Sequence, residues 1–305
     1  MSKFNTFIFS TEPQPVIELT LQASDLICSD IAPQLIREMD QLFSQEKQIE
    51  TLKVAARDPE IQTWIEQLLP LIDQKVSRCV FYQLPLTWHQ HKPSSDFPLQ
   101  LIQSNNQYRP HPLRPPMPQG QVYQRYDFDA ELSISFRVIE LDKDIQRFTR
   151  WMNTPRVAHF WEQAWSEEKL AEFIEQRLAQ PHIIPLIGEF NGEPFGYIEA
   201  YWVAEDRLSP YYAVENYDRG IHLLVGEQAF RGPKYFDAWM RAISHYLFID
   251  DVRTNRIVLE PRADNERLFH RILPLGYHKC FEFNFPHKRS ALLMLTREQF
   301  FAERW

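Results

Sequence analysis

A glycine-containing turn with basic neighbours lies in the stretch DRGIHLLVGEQAFRGPKYFDAWMRA, residues 218–242. Arg231, Gly232 and Lys234 follow an apolar strand pattern and stand where an amphipathic helix should begin. A helix start offers unpaired backbone N–H groups and the positive end of the helix dipole, and glycine lets an anion approach the backbone. The turn therefore favours a diphosphate site, although a plain helix start with an incidental basic pair fits it equally well. Neither G-x-x-x-x-G-K-S/T nor G-x-G-x-x-G is present, so nucleotide hydrolysis and nicotinamide binding gain no support.

A titratable side chain, His222, lies in the middle of the apolar strand before this turn. Imidazole titrates near neutral pH, so this histidine is a candidate general base, whereas a lone histidine on an apolar strand is more often a core residue. Asp264 opens the helix after the next predicted strand and could face the same cleft, or simply cap its helix. His159, in the stretch RVAHFWEQ, is the rival base.

Composition limits the class of protein. The chain has 305 residues, a net charge of −8 and 44 % hydrophobic residues, which indicates a globular protein and argues against a nucleic-acid-binding surface. We find no apolar run long enough for a membrane span and no signal-peptide pattern, so we predict a cytoplasmic protein with no membrane partner. The three cysteines are isolated, and the histidines show no persuasive metal-ligand spacing, so we predict no metal.

A change in composition predicts the domain organisation. No glycine precedes Gly120, and the stretch RPHPLRPPMPQG, residues 109–120, is dense in proline, which favours an extended connector. We therefore predict a smaller N-terminal α/β lobe over residues 1–105, without a recognised site. A linker over residues 106–124 and a catalytic domain over residues 125–305 follow.

Periodicity predicts the elements of each part. In the first part, short strands precede a helical pattern from about residue 31 to 71, and an apolar strand follows in CVFYQLPLTWHQH. In the second part, the pattern predicts a strand, two helices and a hairpin that turns at Asn191-Gly192. The strand with His222 and the basic-glycine turn follow, and then a helix, a strand, a helix and two closing strands. This is an α/β pattern with a mixed sheet.

This order of elements resembles the acyl-CoA-dependent N-acetyltransferase superfamily (GNAT). EPRADNERLFHRILPLGY matches its second signature, while the usual R/Q-x-x-G-x-G/A loop is degenerate, because Gly232 is its only glycine. HPLRPPMPQGQVYQRYD, SFRVIELDKDIQRFTRWMNTPRVAHFWEQ and GIHLLVGE…GPKYF…EPRADN resemble the siderophore-biosynthesis acyltransferases of the aerobactin type. These enzymes acylate N-hydroxylysine or a hydroxylated diamine.

The resemblance implies a function and a set of site residues. It implies a hydroxamate-forming N-acyltransferase with acetyl-CoA or another acyl-CoA as co-substrate, a small hydroxylamine acceptor, and pathway partners such as a flavin hydroxylase or a siderophore synthetase. His222 would be the general base and Asp264 its partner, with a backbone N–H of strand 220–226 binding the oxyanion. The implied cofactor-binding residues are Leu224, Val225, Gln228, Arg231, Gly232, Lys234, Tyr235, Asn265 and Phe269. The implied substrate residues are His159, Trp161, Trp165, Glu199 and Tyr201.

Two other functions fit the same residues. One is a GNAT N-acetyltransferase acting on an aminoglycoside or a polyamine. The other is a non-catalytic acyl-CoA-binding scaffold subunit. Catalytic turnover separates both enzymes from the scaffold, and the acceptor separates the two enzymes.

Overall fold

A computed structural model describes residues 4–7, 16–19, 31–103, 109–286 and 288–302. The chain forms two compact units, one of Met1–Thr87 with Phe301–Trp305 and one of Trp88–Phe300. The division at Thr87 lies before the boundary expected at residue 105. In the described part of the chain, no helix is long and apolar enough to cross a membrane.

Strands and helices alternate along both units. The strands are β1 (Phe4–Phe7), β2 (Val16–Leu19), β3 (Thr51–Ala56), β4 (Lys75–Ser77), β5 (Leu101–Ile102), β6 (His111–Pro112), β7 (Gln121–Asp127), β8 (Leu132–Val138), β9 (Ile183–Phe190), β10 (Glu193–Trp202), β11 (Arg219–Val225), β12 (Arg256–Leu259), β13 (His278–Asn284) and β14 (Arg289–Thr296). The helices are α1 (Ile31–Gln45), α2 (Pro59–Leu68), α3 (Arg78–Gln83), α4 (Leu141–Met152), α5 (Pro155–Trp161), α6 (Glu167–Leu178), α7 (Pro233–Asp250), α8 (Glu266–Ile272) and α9 (Arg297–Ala302).

The first unit contains a four-stranded sheet in the order β1-β2-β3-β4. The helix expected from residue 31 to 71 was wrong, because β3 interrupts it and buries the alternate residues Leu52 and Val54. The strand expected in CVFYQLPLTWHQH was also wrong at its start. Ser77 accepts a hydrogen bond from the Val80 N–H, and this N-cap starts α3 there instead.

The second unit is built on an eight-stranded mixed sheet in the order β13-β14-β12-β11-β10-β9-β8-β7. The predicted hairpin is confirmed, with β9 and β10 joined at Asn191-Gly192. The α/β class with a mixed sheet is confirmed as well. Strand β11 runs antiparallel to β10 on one side and parallel to β12 on the other.

A buried aromatic cluster packs α4 and α6 onto this sheet. Phe148 of α4 stacks on Phe173 of α6, and its ring meets Tyr197 of β10 at a centroid distance of 4.8 Å. Trp151 and Leu224 belong to the same buried cluster. Burial of such large apolar side chains supplies most of the driving force for folding. The cluster therefore fixes α6 over the middle strands.

The proline-dense stretch differs from the connector that was expected. His111–Pro112 forms a short strand with Leu101–Ile102. Arg114 is buried and donates from Nε and Nη2 to the two oxygens of Glu205, with an Nη2–Oε2 distance of 2.7 Å. The Arg114 guanidinium also packs on the Trp202 ring. Residues 109–124 therefore belong to the second unit, because the buried Arg114–Glu205 ion pair attaches them to the segment that follows β10.

Arg114→Ala tests this attachment. The substitution leaves the buried Glu205 carboxylate without its bidentate partner, so we expect the free energy of unfolding to fall by about 3–5 kcal/mol. Arg241→Ala is the matched control, since Arg241 makes a long, partly exposed pair with Asp129 and its loss should cost less than about 1 kcal/mol. Urea denaturation measures both. Equal effects of the two substitutions would contradict the attachment.

Candidate active site

A cavity of about 1050 Å³ opens over the middle strands of the second unit. Strand β11 pairs with β12 only at Arg219 and Gly220, so its later residues border the cavity. Helix α7 begins beyond the C-terminal end of β11 and borders the cavity there. Because β10 is antiparallel to β11, the residues that follow β10 lie at the other end. The cavity therefore has an α7 end and a β10 end, with His222 between them.

Three residues on neighbouring strands form a hydrogen-bonded row across the cavity floor. Glu199 of β10 lies directly opposite His222 of β11. The His222 Nδ1 atom is 2.8 Å from Glu199 Oε2, and its Nε2 atom is 2.7 Å from Oε1 of Glu260, the residue that follows β12. Both carboxylates are buried, while the imidazole side chain is 21 % exposed. We call this set the Glu-His-Glu row.

Both carboxylates of the row are held by further donors. Glu199 accepts hydrogen bonds from Arg177 Nε at 2.8 Å and from the Tyr197 hydroxyl at 3.1 Å. Glu260 accepts from the Tyr201 hydroxyl at 3.0 Å. The Tyr201 ring also packs on His222, and it crosses Gly220 so closely that any Cβ there would overlap it. The row is therefore rigidly placed.

Hydrogen bonding fixes the protonation state of His222. A carboxylate is an acceptor only, so an imidazole between two carboxylates must donate from both nitrogens. Burial opposes this charge, but the negative charge of Glu260 and the hydrogen bonds to Glu199 and Glu260 raise the pKa of His222 to about 10. Burial likewise works to raise the pKa of Glu199, yet the His222 and Arg177 partners lower it to about 2. His222 is an imidazolium at neutral pH.

Asp264 does not contact His222, contrary to the expected pairing. Its carboxylate is exposed and pairs with Arg262 at 3.0 Å, because it lies outside the cavity at the start of α8. The cap of α8 is Asn265, whose Oδ1 accepts from the Leu268 N–H. The carboxylate that bonds to His222 Nε2 belongs to Glu260, not to Asp264 as expected. His159, the rival base, is exposed on α5, packs against Phe160 and is not a cavity-lining residue.

The α7 end of the cavity carries basic side chains that form no ion pair within the described part of the chain. Gly232 is the N-cap of α7, with a φ of 130° that favours glycine, and open space lies above it. Among the described residues, no side chain caps this helix start. Arg231, Arg156 and Arg267 line the same end, and burial together with the charges of Arg231 and Arg267 lowers the pKa of Arg156. The arrangement suits an anion with several negative charges.

The other cofactor-binding residues implied by resemblance divide into two groups. Leu224, Val225 and Asn265 line the cavity. The other four are not cavity-lining residues: Gln228 accepts from Arg231, Lys234 is exposed at the helix start, Tyr235 packs between Phe190 and Phe230, and Phe269 is buried. Arg156 and Arg267 were missed, because basic residues on separate helices carry no local motif.

The implied substrate residues also divide. Glu199 and Tyr201 belong to the row and its support, not to an exposed strand face. Trp161 lines the cavity beside Tyr197. Trp165 packs against Phe173 and under the Lys169 ammonium, away from the cavity lining.

A separate cluster carries possible metal ligands. It consists of His89, His91 and Asp250. Each residue offers one possible ligand atom, and these three atoms lie within 4.8 Å of one another. Both histidines direct Nδ1 to a backbone carbonyl, which orients Nε2 towards Asp250. Asp250 is also paired with the buried Arg219 at 2.9 Å and bonded to Ser94. This cluster lies outside the cavity lining and pins residues 88–94 to the end of α7.

Comparison with known proteins defines the class. The sequence model of the acetyltransferase (GNAT) domain family matches residues 140–285 of this chain. An aminoglycoside acetyltransferase crystallised with coenzyme A superposes with a TM-score of 0.51 at 22 % identity, over 56 % of this chain and 99 % of that one. The second unit therefore has the GNAT fold.

Two sequence relatives define the family. N(6)-hydroxylysine O-acetyltransferase of Escherichia coli is 43 % identical over 271 residues, which are 87 % of this chain and 84 % of that protein. The N(5)-hydroxyornithine:cis-anhydromevalonyl coenzyme A-N(5)-transacylase of Beauveria bassiana is 37 % identical over 63 % of this chain and 43 % of its own length. The chain belongs to the GNAT acyltransferases of siderophore biosynthesis, and it is an enzyme rather than a scaffold.

Proposed function

We propose that this enzyme transfers an acyl group from acyl-CoA to the hydroxylated nitrogen of a lysine or diamine and so forms a siderophore hydroxamate. The Glu-His-Glu row carries the proposal, because it places buried carboxylates and one fixed imidazolium at the centre of a cavity with a cationic end. The likeness to the hydroxylysine and hydroxyornithine acyltransferases supports the acceptor class.

Coenzyme A fits the α7 end. Its diphosphate would lie at the start of α7 above Gly232, with Arg231, Arg156 and Arg267 around its phosphates. Leu224 and Val225 would run beside the pantetheine arm, which brings the thioester towards His222. Backbone N–H groups of β11 beyond Gly220, where pairing with β12 has ended, would bind the oxyanion.

The chemistry needs little activation of the nucleophile. A hydroxylamine is weakly basic and largely neutral at pH 7, so its nitrogen lone pair can attack the thioester carbon directly. The C–N bond forms, the carbonyl electrons move to oxygen, and collapse expels the thiolate. The nitrogen loses one proton, which must end on the thiolate. In our proposal Glu260 takes that proton and passes it on, while His222 holds Glu260 in place.

This assignment moves the general-base role expected for His222 to Glu260. An imidazolium bonded at both nitrogens cannot accept a proton. Despite burial, the His222 partner holds the pKa of Glu260 well below its usual range, so Glu260 is a weak base. It can take the proton because the protonated adduct of a hydroxylamine is itself a strong acid. Glu199 and Tyr201 are positioning residues, since their contacts are with His222 and Glu260.

Thiol release from acyl-CoA tests the function. We expect turnover with N6-hydroxylysine or N-hydroxycadaverine, and kcat at least about 10²-fold lower for Glu260→Gln, the usual effect of losing a positioned base. Glu189→Gln is the matched control, because Glu189 pairs with Arg137 outside the cavity. Preferred acylation of unhydroxylated spermidine or kanamycin would contradict the proposal.

Arg231→Gln tests the phosphate end. Loss of one charge-assisted contact should weaken CoA binding by about 10-fold at low salt and by less at high salt. Arg241→Gln, on α7 but outside the cavity, should bind like the wild type. Calorimetry measures both affinities, and unchanged affinity in a folded Arg231→Gln protein would place the phosphates elsewhere.

The pH profile of kcat tests the state of His222. Its pKa is raised to about 10, so the ion-paired row persists below that pH and is lost as the pH rises through about 10. We therefore expect kcat to fall at alkaline pH as His222 loses its proton. Glu199→Gln removes a negative charge, so the pKa of His222 should fall and this alkaline loss of kcat should move to lower pH. An acidic limb near pH 6–7 that disappears in His222→Ala would show a neutral catalytic imidazole and contradict the assignment.

A further inference from the structure

A further buried carboxylate, Asp206, lines the β10 end of the cavity. It follows the short turn Val203–Glu205 after β10 and is 9 % exposed. Burial raises the pKa of Asp206, and the charges of His222 and Glu260 also act on it, so it lies within electrostatic range of the row. The α7 end holds the cationic cluster, so Asp206 lies at the end left for the acceptor.

The hydrogen bonds of Asp206 are incomplete. Oδ1 accepts from the Leu208 N–H at 2.8 Å, which fixes the carboxylate plane. Oδ2 has no hydrogen-bond partner among the described residues and keeps some accessible surface, and the residue lines the cavity. A buried carboxylate oxygen without a donor is costly, so this atom suits a ligand that brings a donor.

Three basic side chains line the cavity together with Asp206, namely Arg207, Lys288 and His182, and the charge of Arg207 also acts on Asp206. Arg207 extends towards Glu260 and stops 3.7 Å from its Oε1 atom. Lys288 donates from Nζ to the Glu260 carbonyl at 2.8 Å. Burial, with the charges of Arg177 and Arg114, lowers the pKa of His182 to about 4, so this cavity-lining imidazole is neutral at pH 7.

We propose that Asp206 binds a primary ammonium group at the end of the acceptor remote from its hydroxylamine. This deepens the proposed function and rests on it. The acceptor is then a free hydroxylated amino acid or diamine whose other nitrogen is still an amine.

Acceptor analogues and Asp206→Asn together test the inference. N6-hydroxylysine and N-hydroxycadaverine keep the ammonium, and 6-(hydroxyamino)hexanoic acid lacks it without added bulk. For the wild type we expect kcat/KM about 10- to 100-fold lower with the ammonium-free analogue, the value of a hydrogen bond between charged groups. Asparagine keeps the Leu208 hydrogen bond, so the variant should fold.

The variant separates recognition from a structural effect. Asp206→Asn should lose about 10- to 100-fold in kcat/KM with the two ammonium-bearing acceptors and change little with the ammonium-free analogue. Asp142→Asn, on the exposed start of α4, is the matched control and should change neither. An equal loss with all three acceptors, or no loss with any, overturns the inference. Absence of hydroxylamine acylation by the wild type would instead refute the proposed function.

Discussion

The arrangement of the active site in the second unit depends on one positive charge, the imidazolium of His222. His222 is protonated because acceptor-only oxygens of Glu199 and Glu260 face both of its nitrogens. Two carboxylates buried without that imidazolium would be strongly destabilising, so the three residues stand or fall together. Three adjacent strands must keep their register to hold them, since a shift of one residue would turn each side chain to the other face.

The surrounding architecture follows from this constraint. Strand β12 must end beside His222 so that Glu260 can reach it, and the parting of β11 from β12 after Gly220 opens the cavity at the same point. Gly220 leaves room for the Tyr201 ring, which supports the row from below. Helix α6 supplies Arg177 to Glu199, and the proline-dense segment closes the far wall through Arg114.

Local patterns predicted much of the fold but only part of the site. The Asn191-Gly192 turn and the strand before Gly232 carry strong local signals, and both elements were predicted correctly. Glu260 carried no such signal: it follows the short strand β12 and becomes important through the parallel register of β12 with β11, which adjacent residues do not encode. Asp264 attracted the role because a helix-opening aspartate is easily recognised, although it faces solvent. Proline content likewise suggested a linker, since composition does not reveal the buried Arg114–Glu205 pair.

The protonation state of His222 is the claim on which the chemical account rests most directly. Nitrogen-15 NMR of histidine-labelled enzyme, with His222 assigned by comparison with His222→Gln, measures it without reference to turnover. We expect both ring nitrogens to remain protonated from pH 6 to 8 and to titrate only as the pH approaches about 10. A neutral ring at pH 7.5, with one unprotonated nitrogen and a pKa near 6.5, would contradict the account and return the general-base role to this histidine.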